Sequence, residues 1–274
     1  MQKLAPIIQP EELINLDPSS FILIDASAGS RSRFDDTHLT GALYMDLNED
    51  LAEIKDFAVG GRHPLPQPEK FAEILTRFGI SNDSHVIIYD DKNGGNAAAR
   101  LWWMLKAAGH EKVQVVNGGF QAAIEAGYGT NSEQITINPQ PPYHLQQWNL
   151  PLTSINEVEK ASKDGSQTII DVRDAQRFAG LTEPIDLIAG HIPGATNIPF
   201  TENLNEKGLF RSPKELREKY KDLVAEKTIV HCGSGVTACH TLLAIDYAGL
   251  PLPKLYVGSW SEWSRNNKEM VLAQ

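Results

Sequence analysis

The chain has 274 residues, long enough for one large domain or two of ordinary size, and 41% of them are hydrophobic against 22% charged, a globular rather than a disordered balance. A formal net charge of −10 argues against nucleic acid or an anionic membrane as partner. No stretch approaches the length of a membrane span and the first ten residues show no basic segment leading into a long apolar run, so a soluble, cytoplasmic protein is expected.

In chain order, residues 21–26 (FILIDA) read as a buried strand, followed at His38 by Leu-Thr-Gly-Ala. A helix signal over 68–78 comes next, then a strand over 85–90, a helix over 97–108 and a strand over 113–117. From 127 to 150 the prolines Pro139, Pro141 and Pro142 interrupt any periodicity, and the stretch reads as a linker. Beyond it the series recurs. A strand over 168–173 precedes His191, followed by Ile-Pro-Gly-Ala, and a helix over 213–223 begins at Pro213 with Ser212 as its cap. A strand over 228–232, a helix over 236–248 and a strand over 254–258 complete it. His38 and His191 stand 153 residues apart in matching contexts, so one fold is used twice. The expected class is α/β, each half a parallel sheet with helices on both faces and ligands at the carboxyl ends of the strands. The expected divisions are 1–128, a linker over 129–150, and 151–274.

The chemistry concentrates at Cys232. It ends an apolar strand and is followed by Gly-Ser-Gly-Val-Thr, opening into a helix. Amide groups at a helix start lack intrahelical partners, and the helix dipole favours negative charge there, so the thiol is expected to act as a solvent-open thiolate nucleophile. Gly233 and Gly235 let the backbone curl round the sulfur, and Ser234 and Thr237 add hydroxyl donors without charge. Gly233, Gly235, Val236 and Thr237 are the expected lining of the substrate site. Cys239, inside the helix, reads as core packing, and the two cysteines are badly placed to bridge each other.

The run C-G-S-G-V-T-A resembles the active-site loop of the rhodanese-type sulfurtransferases, and in particular its form in the mercaptopyruvate sulfurtransferases. With the internal repeat, the resemblance extends over nearly the whole chain and implies two tandem rhodanese-like domains. In that family a cysteine takes sulfane sulfur from a small-molecule donor as a persulfide and passes it to an acceptor, here a thiol, a thioredoxin-like protein or cyanide; no cofactor and no metal are implied. The first half has Asp90-Asp91-Lys-Asn-Gly-Gly where the second has Cys232, and is expected to be inactive.

Arg177, in R-F-A-G, stands where the mercaptopyruvate enzymes carry an arginine for the substrate carboxylate, to which it offers a planar fork. The alternative is a surface arginine paired with Asp174 or Glu183. The resemblance also implies a second arginine in an E-P-R segment, but this chain has Glu183-Pro184-Ile185. His63, in a turn-rich G-G-R-H-P-L-P loop, matches a histidine that resembles a proton carrier acting with the loop serine, here Ser234; the alternative is a solvated loop histidine. Asp46 or Asn48 could orient it. Asp171 and Arg173 are expected to tie loop backbone, His191 to serve the fold, His231 to face away from Cys232, and Trp260 and Trp263 to pack beneath the loop or at the domain interface.

A tyrosine phosphatase would also place cysteine between strand and helix, but its Cys-x5-Arg loop would need arginine where Ala238 stands. A non-catalytic binding module would be favoured only if Cys232 were replaced. Cys232, Cys239 and His240 lack the spacing of a tetrahedral metal site. Thiosulfate enzymes of the family commonly carry basic residues just after the cysteine. The neutral loop here, with Arg177, suits a donor with one carboxylate, 3-mercaptopyruvate ahead of thiosulfate.

Overall fold

The computed structural model describes residues 4–95 and 97–272, in two compact units. The first comprises residues up to Ala52, Pro66–Asn149 and Gly208–Phe210. The second comprises Glu53–Leu65, Leu150–Lys207 and the chain from Arg211 onward. Thus the loop bearing His63, which lies in the first half of the sequence, belongs to the second unit.

In the first unit, strand β1 (Ile7–Ile8), helix α1 (Pro10–Leu13), β2 (Ile22–Asp25) and α2 (Arg31–Asp36) lead to the short β3 (His38–Leu39) and β4 (Ala42–Tyr44). Then come α3 (Pro68–Arg77), β5 (Val86–Tyr89), α4 (Ala98–Ala107), β6 (Val113–Val116), α5 (Gly119–Glu125) and β7 (Thr130–Asn131). The sheet runs β1-β6-β5-β2-β4 with every pairing parallel. Its middle strand, VIIY, is buried at all four residues, as a parallel strand covered on both faces must be. Residues 129–149 are laid along this unit instead of spanning open solvent. β7 pairs antiparallel with β3, Tyr143 is buried with its N–H donating to Thr76 Oγ1 at 2.9 Å, and the Trp148 ring lies 5.4 Å from that of Phe71.

The second unit repeats the plan with α6 (Ile155–Asp164), β8 (Thr168–Asp171), α7 (Ala175–Phe178), β9 (Ala195–Asn197), α8 (Pro213–Tyr220), β10 (Thr228–His231), α9 (Thr237–Tyr247), β11 (Lys254–Leu255) and α10 (Ser259–Trp263). Its sheet, β11-β10-β8-β9, is also parallel throughout. Even the details recur. Leu152 bridges Leu255 in parallel where the first unit has β1 beside β6, and His191 bridges Val271 antiparallel where His38 pairs with Asn131. His38 and His191 each stack on a phenylalanine, Phe34 at 4.0 Å and Phe178 at 3.9 Å, and share a hydrogen bond with that residue's carbonyl. Both are therefore structural, as expected.

Local chemistry sets the helix starts. Ser154 with Glu157, and Ser212 with Glu215, form reciprocal capping boxes on α6 and α8, and Pro213 occupies the first position of α8. The register pairs Asp25 with Tyr89 and Asp171 with His231, so Asp90 and Cys232 occupy matching places just past the ends of β5 and β10. That is the edge where ligands meet parallel sheets. Among the described residues no helix is long and apolar enough to cross a membrane.

Candidate active site

Cys232 sits on a backbone fixed from beneath. Its N–H donates to Ser259 Oγ at 3.2 Å and its carbonyl accepts from the Trp260 N–H at 3.1 Å, while the Gly233 carbonyl accepts from the Ser261 N–H at 2.8 Å. Ser259 itself donates to the Tyr256 carbonyl at 2.9 Å and is held at φ 52°, a left-handed conformation costly for a residue with a Cβ. Trp260 and Trp263 are buried here, and the Trp260 Nε1–H donates to the Ile188 carbonyl at 2.7 Å.

The two loop glycines do different things. Gly235 has φ 73°, and a Cβ there would lie 2.5 Å from the Val257 carbonyl oxygen, so it makes the turn. Gly233 leaves room for side chains instead: a Cβ would lie 2.8 Å from Arg62 Nη2 and 3.2 Å from Arg177 Nη2. These two guanidinium groups cover the loop, and Cys232 is only 1% exposed. The expectation of a solvent-open sulfur is thereby corrected. Two guanidinium groups nonetheless lie beside Gly233, which the sequence could not indicate for Arg62 because it stands 170 residues away from Cys232. Cys239 is buried in α9, its thiol donating to the Gly235 carbonyl at 3.3 Å, and neither cysteine is in a disulfide.

The arginines belong to a chain of alternating charge. Arg173 grips Asp171 with Nε at 3.0 Å and Nη2 at 2.6 Å, donates to the Gly190 carbonyl at 2.7 Å and reaches Glu183 at 3.2 Å. Glu183 accepts from Arg177 Nε at 3.1 Å and Nη2 at 2.8 Å, and Arg177 Nη2 also meets Asp186 at 3.2 Å. Asp186, whose side chain is 1% exposed, pairs closely with Arg62 and lies 3.6 Å from Arg265. Asp174 takes the backbone N–H of Arg177 as cap of α7, leaving the guanidinium to Glu183 and Asp186. Arg177 is therefore paired as the alternative reading supposed, yet its side chain is only 13% exposed and directed at the loop.

Burial pushes the Glu183 carboxyl up, but the Arg177 hydrogen bond and the amides of Asp186 and Ile185 outweigh it and hold it below the usual carboxylate range. Burial likewise lowers Arg177, and Glu183, Asp186 and Cys232 more than offset this. His231 is wholly buried, and burial pushes its imidazole down despite Asp171 at 3.8 Å, so it adds no charge at neutral pH. In the ion-paired chain four arginines then face three carboxylates, an excess of one positive charge that a Cys232 thiolate balances.

His63 Nδ1 lies 2.9 Å from Ser234 Oγ. The loop carrying it is braced by the Gly60 N–H on Glu262 at 2.8 Å, the Glu53 N–H on the Pro64 carbonyl at 3.0 Å and Asn266 on the Ala58 carbonyl at 2.8 Å. Val236 caps α9 and Thr237 begins it, partly exposed, at the helix end whose amides lack intrahelical acceptors. The Asp46 carboxylate caps its own turn, accepting from the Asn48 N–H at 2.7 Å. In the first unit the Asp90 carboxylate accepts the N–H groups of Lys92 at 2.9 Å, Gly94 at 2.8 Å and Ala98 at 3.2 Å. The loop at that place thus holds an anion of its own.

Sequence reasoning missed Arg62 and Asp186, and at Ser259 it found the turn from strand to helix but not the hydroxyl on the Cys232 N–H. Arg62 adjoins His63 and so carried a usable signal, and a serine after Gly258 at a strand-to-helix turn was a weaker one. Nothing local marks Asp186.

The family model of the rhodanese-like domain matches the chain twice, over residues 9–126 and 154–266. The chain is similar to the thiosulfate sulfurtransferase of Gallus gallus, 38% identical over 85% of this chain and 81% of that protein. It is similar to the 3-mercaptopyruvate sulfurtransferase of Homo sapiens, 35% identical over 97% of this chain and 89% of the other. Among solved structures, that of a 3-mercaptopyruvate sulfurtransferase from Leishmania major superposes with a TM-score of 0.78 at 30% identity, covering 97% of this chain and 76% of that one.

Proposed function

Because the chain belongs to the rhodanese-like family of sulfurtransferases, with its domain in tandem, we propose that it takes the thiol sulfur of 3-mercaptopyruvate onto Cys232 as a persulfide and passes it to a thiol or cyanide. The Cys232 thiolate attacks the donor's sulfur, a new S–S bond forms and the donor's C–S bond breaks, its electron pair going to the pyruvate enolate. The proton of the donor's thiol ends on that enolate carbon, leaving pyruvate and a Cys232 persulfide anion. Ser234 and His63, 2.9 Å apart, are a relay suited to carrying this proton. Arg177 holds the donor's carboxylate, and the loop from Gly233 to Thr237 receives the sulfur end. The first repeat is non-catalytic, its Asp90 carboxylate satisfied by its own loop.

The observation that carries the choice of donor is the charge balance. With the Cys232 thiolate counted the four arginines are already balanced, so a donor with one carboxylate brings less unmatched negative charge than doubly charged thiosulfate, and unmatched charge in a site shielded from water is costly. Thiosulfate remains the second reading, since relatives of both kinds reach 38% identity. Steady-state kinetics with each donor, cyanide as common acceptor, decides between them. A higher kcat/KM for mercaptopyruvate is expected, and the reverse order would overturn the donor assignment.

A further inference from the structure

We propose that Glu262 is a positioning residue for the proton path: its carboxylate fastens the loop that carries His63 and so keeps the imidazole against Ser234. This rests on the mercaptopyruvate reading of the site and names the residue through which its relay is aligned.

The hydrogen bond is the first ground. Glu262 Oε1 accepts the Gly60 N–H at 2.8 Å, joining positions 202 residues apart, and Gly60 stands three residues before His63. Four residues after Glu262, Asn266 Nδ2 donates to the Ala58 carbonyl at 2.8 Å. The loop is thus gripped on both sides of Val59 by side chains from one short stretch.

Space is the second ground. Gly258 has φ −59° and ψ −31°, a backbone that any residue adopts, so its conformation does not ask for glycine. A Cβ there would instead lie 1.9 Å from Glu262 Oε2. The carboxylate takes the volume that a side chain at position 258 would need. The loop approaches the same residue, since a Cβ on Gly61, at φ 77°, would lie 2.4 Å from the Gly258 carbonyl oxygen. Carboxylate and loop therefore meet on one backbone segment.

The link to the nucleophile is the third ground. Trp260 and Ser261, the two residues before Glu262, donate their N–H groups to the carbonyls of Cys232 and Gly233 at 3.1 and 2.8 Å. Helix α10 holds the nucleophile's backbone with two amides and the relay's loop with the next side chain. His63 Nδ1 then stands 2.9 Å from Ser234 Oγ. Proton transfer needs heavy atoms within about 3.2 Å, so a loop shift of about 1 Å would open the contact beyond reach.

The test separates the two half-reactions. Loading of Cys232, read as pyruvate released in the first turnover, needs the relay. Discharge of the persulfide to cyanide forms thiocyanate and returns the thiolate, and needs no proton on carbon. Glu262→Ala should slow loading by about 10- to 100-fold and leave discharge as in wild type. Glu262→Gln keeps an oxygen for the Gly60 N–H and should load at close to the wild-type rate. In a His63→Ala background, itself slow to load, Glu262→Ala should cost nothing further, because the two act through one contact. Unchanged loading in Glu262→Ala, equal slowing of both half-reactions, or the same loss with and without His63 would overturn the proposal while leaving the relay standing. A wild type that releases no pyruvate, or a His63→Ala variant that loads as fast as wild type, would overturn both. If Glu262→Ala does not fold, Glu262→Asp, one methylene too short for Gly60, replaces it, and wild-type loading in that variant would count against the proposal.

Discussion

Ser259 carries two burdens at once, a left-handed backbone and the hydroxyl placed on the Cys232 N–H. Replacing it separates them. Ser259→Ala keeps the strain and orphans a buried donor, and should cost about 2 kcal/mol in urea unfolding. Ser259→Gly loses the same hydrogen bond but relieves the backbone by about 1 kcal/mol, so it should be the more stable of the pair. Alanine equal to or better than glycine would mean that the turn is unstrained. Gly233→Ala tests the neighbouring position: its Cβ would stand 2.8 Å from Arg62 Nη2 and 3.2 Å from Arg177 Nη2, so both guanidinium groups must move and the mercaptopyruvate KM should rise several-fold, read by steady-state kinetics. The turn made by Gly235 was legible in the sequence because loop chemistry is local, whereas Gly233, expected to turn as well, leaves room for side chains instead. The ion pair beside Gly233 was not legible, since Arg62 and Asp186 meet across 124 residues and only the fold joins them.

Helix α8 illustrates what an element owes to its first residues. Ser212 Oγ accepts the Glu215 N–H at 3.3 Å while Glu215 accepts from the Ser212 N–H at 3.0 Å, satisfying two donors that the helix leaves open. Ser212→Ala should lower stability by about 1 kcal/mol with sulfur transfer unaltered, measured by thermal unfolding beside activity. No loss of stability would contradict the cap. Cap, proline and apolar periodicity all lie within a few residues of each other, so this helix could be read directly from the sequence. The segment over 127–150 could not. Its prolines signal irregular backbone correctly, but the burial of Tyr143 and the packing of Trp148 on Phe71 depend on partners far off in the chain.

Across the molecule, the repeat was the most legible feature, because each half spells the same succession of apolar strands and amphipathic helices, down to His38 and His191. Beside Cys232, absent from the first half, the second half carries a charge network that exists only when folded. Glu183, held below its ordinary pKa of 4.5, contributes stability that is complete above that value and is lost as pH falls through its lower folded value. Glu183→Gln should therefore be about 2 kcal/mol less stable than wild type at neutral pH, and the gap should close on acidification below the ordinary carboxyl range. A gap that persists unchanged into acid would mean that Glu183 is not ionised in the folded network.

The most direct test of sulfur transfer through Cys232 is the intact mass of the protein after brief exposure to 3-mercaptopyruvate without acceptor. Wild type should gain one sulfur atom with release of one pyruvate, lose it on adding cyanide, and Cys232→Ser should do none of these. A serine variant that still gains sulfur and releases pyruvate at the normal rate would contradict the mechanism.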